Sequence, residues 1–377
     1  MQLYDLISPA ESRIADKAYF ARIPLGGSME LLPLCNMNCK MCFIRQNPEE
    51  MKKQGRMLSC DEWLRIAREA KAAGVVFLLL TGGEPLFYPE FRRLYSELTS
   101  MGFFITINTN GTLIDENMAD FLAARPCRRL NITLYGDSDE SYARLCGNPH
   151  GHTQLMRALE LLEARKVPYR LNYSITPDNV GQLRYGCELA HQKHVALEAA
   201  AYMFPPMRRE NERFERLSPK QAAQAKHDWI LYRYGEKQLE YEAKLAKERT
   251  ERFEPRKDDT ITCRAGRSGF WMAWNGDLLS CGMMPEPKVS LLDHSFAEAW
   301  KTIVAETDKL RIYSGCRTCA KRHVCSMCAA GCLAESGDMT KKPEYLCEMA
   351  EAYYDLLMQH LPPQEEKKEE TDEPRER

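Results

Sequence analysis

The chain has 377 residues, 44% apolar and 28% charged, with 52 basic against 54 acidic side chains. That length supplies two or three domains and a large core, and the composition excludes wholesale disorder, a collagen-like rod and a small disulfide scaffold. The net charge is −2, and without the acidic tail from Pro362 the remainder comes to about +1 (48 minus 47), so no global basic field draws in nucleic acid.

The N-terminal stretch MQLYDLISPAESRIA has neither a basic n-region nor an apolar h-region, and the longest apolar runs, Val75–Leu80 and Ala199–Phe204, fall far short of a membrane span. The expectation is a cytoplasmic protein with no membrane and no nucleic-acid partner. Its fifteen cysteines then point to metal or redox chemistry, because a reducing compartment does not keep structural disulfides.

Residues 1–27 read as an N-terminal extension. From 28 to 206, strand-like and helix-like pieces alternate. The strands are expected at Ser28–Leu34, Val75–Leu80, Phe103–Asn108, Leu130–Tyr135, Tyr169–Ile175 and Ala196–Tyr202. Helices are expected at Asp61–Ala73, Glu90–Met101, Asp115–Ala124, Asp139–Leu145, Thr153–Lys166 and Val180–Lys193, the first opened by a Ser59/Glu62 capping box. Six such units imply an α/β fold, a parallel sheet curled into a partial (β/α)6 TIM-like barrel with its chemistry at the carboxyl ends of the strands.

Residues 207–260 form a charged helical bridge: 25 of the 52 residues from 207 to 258 are charged, while Trp229, Tyr232, Leu239, Ala243 and Ala246 keep helical spacing. A solvated interdomain helix is the plain reading and a substrate-gripping arm the sharper one. Residues 261–361 are cysteine-rich, and 362–377 are expected to be a disordered charged tail.

Directly after the first strand comes Cys35-x3-Cys39-x2-Cys42. Three thiolates so spaced reach one iron–sulfur cube and leave its fourth iron without a protein ligand, whereas structural zinc asks for four ligands. After the second strand stands Thr81-Gly82-Gly83-Glu84-Pro85, where glycines let backbone approach a ligand. Together the two motifs resemble the radical S-adenosylmethionine (SAM) enzymes. The resemblance implies a SAM-binding [4Fe–4S] cluster on Cys35, Cys39 and Cys42, with Gly82, Gly83, Glu84 and Pro85 holding the SAM amino group. It extends to Asn110 after the third strand, Thr133 after the fourth, and Arg144 as the partner of the SAM carboxylate, with Asn172 and Ser174 on the fifth strand as further cofactor-side candidates. Tyr135 stands where relatives carry Asp.

The late cysteines run Cys263, Cys281, Cys316-x2-Cys319-x5-Cys325-x2-Cys328-x3-Cys332 and Cys347, with an Asn275-Gly276 hairpin turn between the first two. This is similar to the SPASM extension of radical SAM enzymes, a C-terminal Cys-rich iron–sulfur domain, and departs from its spacing after Cys325. Eight cysteines close two cubanes. The resemblance gives Cys263, Cys281 and Cys332, with Cys328 as the fourth ligand, to one, and Cys316, Cys319, Cys325 and Cys347 to the other; zinc held by Cys316, Cys319, Cys325 and Cys328 is the alternative. The solitary Cys60, Cys127, Cys146 and Cys187 read as buried small hydrophobes.

The implied activity is radical SAM oxidation of a ribosomally made peptide by a thioether or C–C cross-link, using three [4Fe–4S] clusters and an electron donor such as flavodoxin or ferredoxin. A small molecule or a sulfatase-like protein is the alternative substrate, though Gly282 after Cys281 stands where sulfatase maturases carry an Asp that acts as the base. The 34 residues before Cys35 are too few for a leader-binding domain, so a separate leader-peptide-binding partner is one expectation. Tyr202, Arg208 and Arg209 are candidate substrate residues. A zinc-stabilised, non-catalytic binding protein is the rival of another class.

Overall fold

A chain that alternates apolar strands with amphipathic helices buries both by stacking the helices on one face of a parallel sheet. The computed structural model describes residues 9–208 and 213–362 and shows this arrangement. Helix α1 (Pro9–Ala21) leads into β1 (Gly26–Glu30), and α2 (Pro48–Gln54) and α3 (Cys60–Ala72) lead to β2 (Phe77–Thr81). Then α4 (Phe91–Ser100), β3 (Phe104–Thr109), α5 (Glu116–Ala124), β4 (Arg129–Leu134), α6 (Asp139–Cys146), α7 (Gly151–Ala164), β5 (Tyr169–Ser174), α8 (Leu183–Gln192) and β6 (Leu197–Ala200) complete the six units. The strand order β6-β5-β4-β3-β2-β1 is all parallel.

The strands divide their side chains by alternation. Ile105, Ile107, Leu130, Ile132, Leu134, Leu171 and Tyr173 are buried beneath the helices. The residues between them, Thr106, Asn108, Asn131, Thr133, Arg170, Asn172 and Ser174, give the inner face a polar lining, with Asn131 Nδ2 donating to Asn108 Oδ1 at 2.7 Å. The inner face is therefore built to meet polar groups, while the outer face supplies the core.

The sheet continues beyond six strands. β7 (Gly269–Met272) lies parallel to β1, in register Gly26↔Gly269 to Met29↔Met272, and β8 (Asp277–Leu279) and β9 (Lys288–Ser290) follow antiparallel. The expected Asn275-Gly276 hairpin is the β7–β8 turn, with Gly276 at φ +94°. The hairpin of the Cys-rich region is thus an extension of the barrel sheet, and Gly27 admits it: a Cβ there would stand 2.2 Å from the Phe270 ring.

The charged bridge departs from the solvated-helix expectation. It is two helices, α9 (Pro219–Tyr234) and α10 (Glu236–Glu251), broken at Gly235 with φ +81°. Their apolar stripe is covered, with Trp229, Ile230, Leu239, Ala243 and Ala246 all buried. Both helices pack on α13 (Glu344–Met358), which follows α11 (Phe296–Lys309) and α12 (Ala329–Ser336). The sequence stripe was a packing face because a third helix, far along the chain, closes over it. Of the expected tail, residues 363–377 lie outside the described residues.

Candidate functional site

After β1 the chain leaves the sheet along Leu31–Leu34 and reaches the cysteines; after β2 it runs through Thr81–Pro85. The two segments stay hydrogen-bonded to each other: Gly83 N–H donates to Leu32 O (2.7 Å) and Glu84 N–H to Leu34 O (3.0 Å). The approach requires glycine. A Cβ at Gly82, which has φ +153°, would stand 2.4 Å from Leu32 O, and one at Gly83 would stand 2.2 Å from Leu34 O. Pro85 opens a short 3-10 turn. Glu84 is fully buried and accepts from Thr109 Oγ1 (2.8 Å), Asn110 N–H (2.8 Å) and Leu86 N–H (3.1 Å). Burial outweighs these donors and pushes its carboxyl up to about 7.

The cysteine loop is clamped from α6: Asn38 N–H donates to Cys146 O (2.8 Å) and Lys40 N–H to Leu145 O (3.0 Å). Amides already address the sulfurs, Met37 N–H to Cys35 Sγ and Arg45 N–H to Cys42 Sγ, each at 3.3 Å. Asn110 Nδ2 reaches Asn36 Oδ1 (2.9 Å) and, at 3.8 Å, Cys35 Sγ. Burial, then Glu84 and the other two cysteines, pushes Cys35 up to about 12. Cys39 is lowered, first by a hydrogen bond from the Cys146 thiol and, against its burial, by the Tyr135 hydroxyl. Three thiols, two of which act electrostatically on the third, with donors set around them, fit an iron–sulfur cluster that replaces their protons. Tyr135 and Cys146 are contacts that spacing could not reveal, since Cys146 read only as a buried hydrophobe.

The remaining cofactor-side candidates fall as follows. Thr133 and Asn172 are register partners on β4 and β5, and the Asn172 Oδ1 is buried with no hydrogen-bond partner among the described residues. Ser174 ends β5. Arg144 is engaged by protein groups: its Nε lies 3.4 Å from Asp178 Oδ1 and it donates to Asp178 O at 3.1 Å, while Lys40 pairs with the same carboxylate at 2.9 Å.

The fifteen cysteines, all among the described residues, form no disulfide. The late ones sort by their electrostatic neighbours. Burial raises Cys281 to about 11, with Cys328 and Cys263 adding to it. Burial likewise raises Cys316 to about 11 and Cys325 to about 12, with Cys347 and Cys319 acting on both. Cys332, also raised to about 12 by burial, feels Cys316, Cys328 and Cys325. So Cys263, Cys281 and Cys328 form one neighbourhood, Cys316, Cys319, Cys325 and Cys347 another, and Cys332 stands between them. Among the described residues no three His, Cys, Asp or Glu side chains converge as ligands of one ion would; a cubane is a body of several atoms whose ligands stand further apart.

The substrate candidates turn out to be tied to the protein. Tyr202 donates to Glu335 Oε1 (2.7 Å), which Arg216 also holds. Arg208 grips Glu30 through both carboxylate oxygens (2.7 and 2.8 Å) and donates to Gly282 O (2.8 Å), and Trp271 Nε1 donates to Glu30 Oε2 (2.6 Å). Glu30 is wholly buried. Arg209 lies outside the described residues. Beside Arg208 a cavity of about 210 Å³ opens between Phe43, next to Cys42, and Trp274, Met283 and Met284 beyond β7 and β8. Sequence reasoning passed over Glu30, although a lone charge in the run Met29–Leu32 was its signal.

Residues 29–179 match the Radical SAM superfamily. The AdoMet-dependent heme synthase of Methanosarcina barkeri is 23% identical over 336 residues, 84% of this chain and 94% of that protein. The PqqA peptide cyclase of Granulibacter bethesdensis is 29% identical over 160 residues; this chain spans 42% of that cyclase's length. Among solved structures, Streptococcus suis SuiB bound to S-adenosylmethionine superimposes with a TM-score of 0.64 at 17% identity, over 91% of this chain and 81% of that one. Native anSMEcpe with bound AdoMet superimposes with a TM-score of 0.65 at 19% identity, over 88% and 96%. No described helix is long and apolar enough to cross a membrane.

Proposed function

We propose that this chain, a member of the radical SAM superfamily, is a SPASM-type enzyme that oxidatively modifies a ribosomally made peptide. The observation that carries the reading is the close zippering of the cysteine loop against Gly82–Gly83–Glu84, which sets three thiols beside a buried carboxylate at the carboxyl ends of β1 and β2. Cys35, Cys39 and Cys42 would hold the [4Fe–4S] cluster, and the Glu84 carboxylate with the glycine backbone would hold the SAM amino group. When bound, the cluster supplies the electron that cleaves SAM to methionine and a 5′-deoxyadenosyl radical. The polar inner face, with Thr133, Asn172 and Ser174, orients the cofactor; Phe43, Trp274, Met283 and Met284 give the cavity beside it an apolar wall, and the polar Gln54, Asn275, Asp277 and Lys288 line it as well.

Two auxiliary [4Fe–4S] clusters on the eight late cysteines would carry away the electron left on the product, with a flavodoxin- or ferredoxin-type protein as external donor. The neighbourhoods favour Cys263, Cys281 and Cys328 for one cluster and Cys316, Cys319, Cys325 and Cys347 for the other, and Cys332, which stands between them, would complete the first by the count of four ligands each. A peptide substrate is supported by the cyclase relatives and by the likeness to SuiB bound to its precursor peptide SuiA. A small-molecule substrate is the second reading, favoured by the heme synthase because its similarity runs along most of this chain.

Metal analysis of protein made without oxygen tests the proposal. About twelve iron with matching sulfide is expected, falling by about four in the Cys35/Cys39/Cys42→Ala variant. About two zinc and no iron would replace it with a zinc-stabilised, non-catalytic binding protein. A tetrapyrrole that stimulates SAM cleavage where peptides do not would move the substrate to the second reading.

A further inference from the structure

The end of the sheet remote from the cysteine loop holds a second cavity, of about 330 Å³, at the N-terminal ends of β1 to β4 and β7. Among the described residues, basic side chains outnumber acidic ones in its lining. Arg129, the first residue of β4, lines it and donates from Nε to Asn131 Oδ1 at 2.9 Å. That oxygen is already shared with Arg170 Nε at 2.8 Å. Arg170 pairs with Glu198 (2.8 Å) and Arg128 with Glu11 (3.0 Å). Among the described residues neither Arg129 nor Arg264, which also lines the cavity, pairs with a carboxylate. Among the described residues, Arg128, Arg129 and Arg264 thus line the cavity with one carboxylate, Glu11. Burial, with Arg170 and Arg128 alongside, pushes Arg129 down to about 10.

A second observation is independent of charge. Ser268 is 2% exposed, lines the same cavity, and its Oγ has no hydrogen-bond partner among the described residues. A half-buried guanidinium that meets an amide oxygen and no carboxylate, and a buried hydroxyl without a partner among the described residues, both cost stability, so neither explains itself as a structural device. Together they are the complement of an oxyanion: a guanidinium fork for two oxygens, a hydroxyl for a third, and a second guanidinium at the rim.

We propose that this cavity is a binding site for the phosphate group of a small molecule, separate from the SAM end of the sheet. Its volume is in the range of small-ligand pockets and leaves room beyond the anion itself. The test is calorimetric titration of the full-length, anaerobically reconstituted protein with inorganic phosphate and with ribose 5-phosphate, at constant ionic strength in chloride. Saturable binding is expected, weakened about tenfold or more in Arg129→Gln and in Ser268→Ala, with SAM binding unchanged in both. Tighter binding of ribose 5-phosphate marks an organic phosphate as the ligand; equal binding marks the free anion. Should Arg129→Gln fail to fold, Ser268→Ala carries the test, since its hydroxyl bonds nothing among the described residues. Absence of saturable binding to the wild type overturns the proposal. Unchanged affinity in the variants overturns it equally.

Discussion

Glu84 is a carboxyl that the protein surrounds with three donors and no cation, and its burial lifts it to about 7. A carboxyl raised in the fold favours the proton, so its contribution to the ligand-free protein is full below the ordinary carboxylate range and is lost as the pH rises to about 7, by roughly 3 kcal/mol. A ligand ammonium reverses the preference, because it needs the ionised form. The affinity for SAM is therefore expected to rise about fivefold from pH 6 to pH 7 as the carboxylate forms, and Glu84→Gln to bind more weakly with a flat profile. Titration calorimetry across that range checks it, and a flat wild-type profile would contradict the assignment.

The segment after β6 is where an element-scale reading replaces a residue-scale one. Arg208 invited a substrate role by its position at the cavity mouth, yet its Nη1 holds both oxygens of Glu30, a carboxylate with no exposure at the end of β1, and its Nη2 holds Gly282 O. Removing one partner of a buried pair leaves the other charged and unmatched, at about 3–5 kcal/mol. Arg208→Ala is expected to lower the melting temperature steeply, and Glu30→Gln/Arg208→Ala to recover most of the loss. Thermal unfolding of the three proteins decides: equal stability of wild type and Arg208→Ala would return the arginine to the substrate.

At the same scale, β1 to β6 were legible in the sequence because a strand covered by helices reads as a short apolar run, though the ends were not. The expected Ser28–Leu34 is Gly26–Glu30, since Pro33 has no N–H for a ladder and the chain turns there toward the cysteines. The pairing of β7 with β1 joins residues some 240 positions apart and leaves no local periodicity. Its one trace is Gly26-Gly27, where a strand interior has no side chains to pack until Phe270 arrives. The α9–α10 stripe was equally ambiguous, because a helical apolar row looks the same whether water or α13 covers its surroundings.

For the molecule as a whole, one sheet of nine strands carries two ends of opposite character. Thiols and a buried carboxylate gather where β1 and β2 end, and the guanidiniums of Arg128, Arg129 and Arg264 gather where the strands begin. The motifs that made the first end legible are local, three cysteines within eight residues and Gly-Gly-Glu-Pro. The second end is assembled from single arginines on separate elements and could be read only in space. Because β7 belongs to the barrel sheet, the Cys281 region is fixed to the same frame as the cysteine loop, and Arg208 ties the two together through Glu30 and Gly282. A relay from the SAM end to the late cysteines needs that fixed geometry. The most direct test of the account is anaerobic incubation of reconstituted protein with SAM and dithionite, with 5′-deoxyadenosine measured beside the Cys35/Cys39/Cys42→Ala variant. The account predicts 5′-deoxyadenosine from the wild type and none from the variant; none from a wild-type protein carrying its full iron, or equal amounts from both, would contradict it.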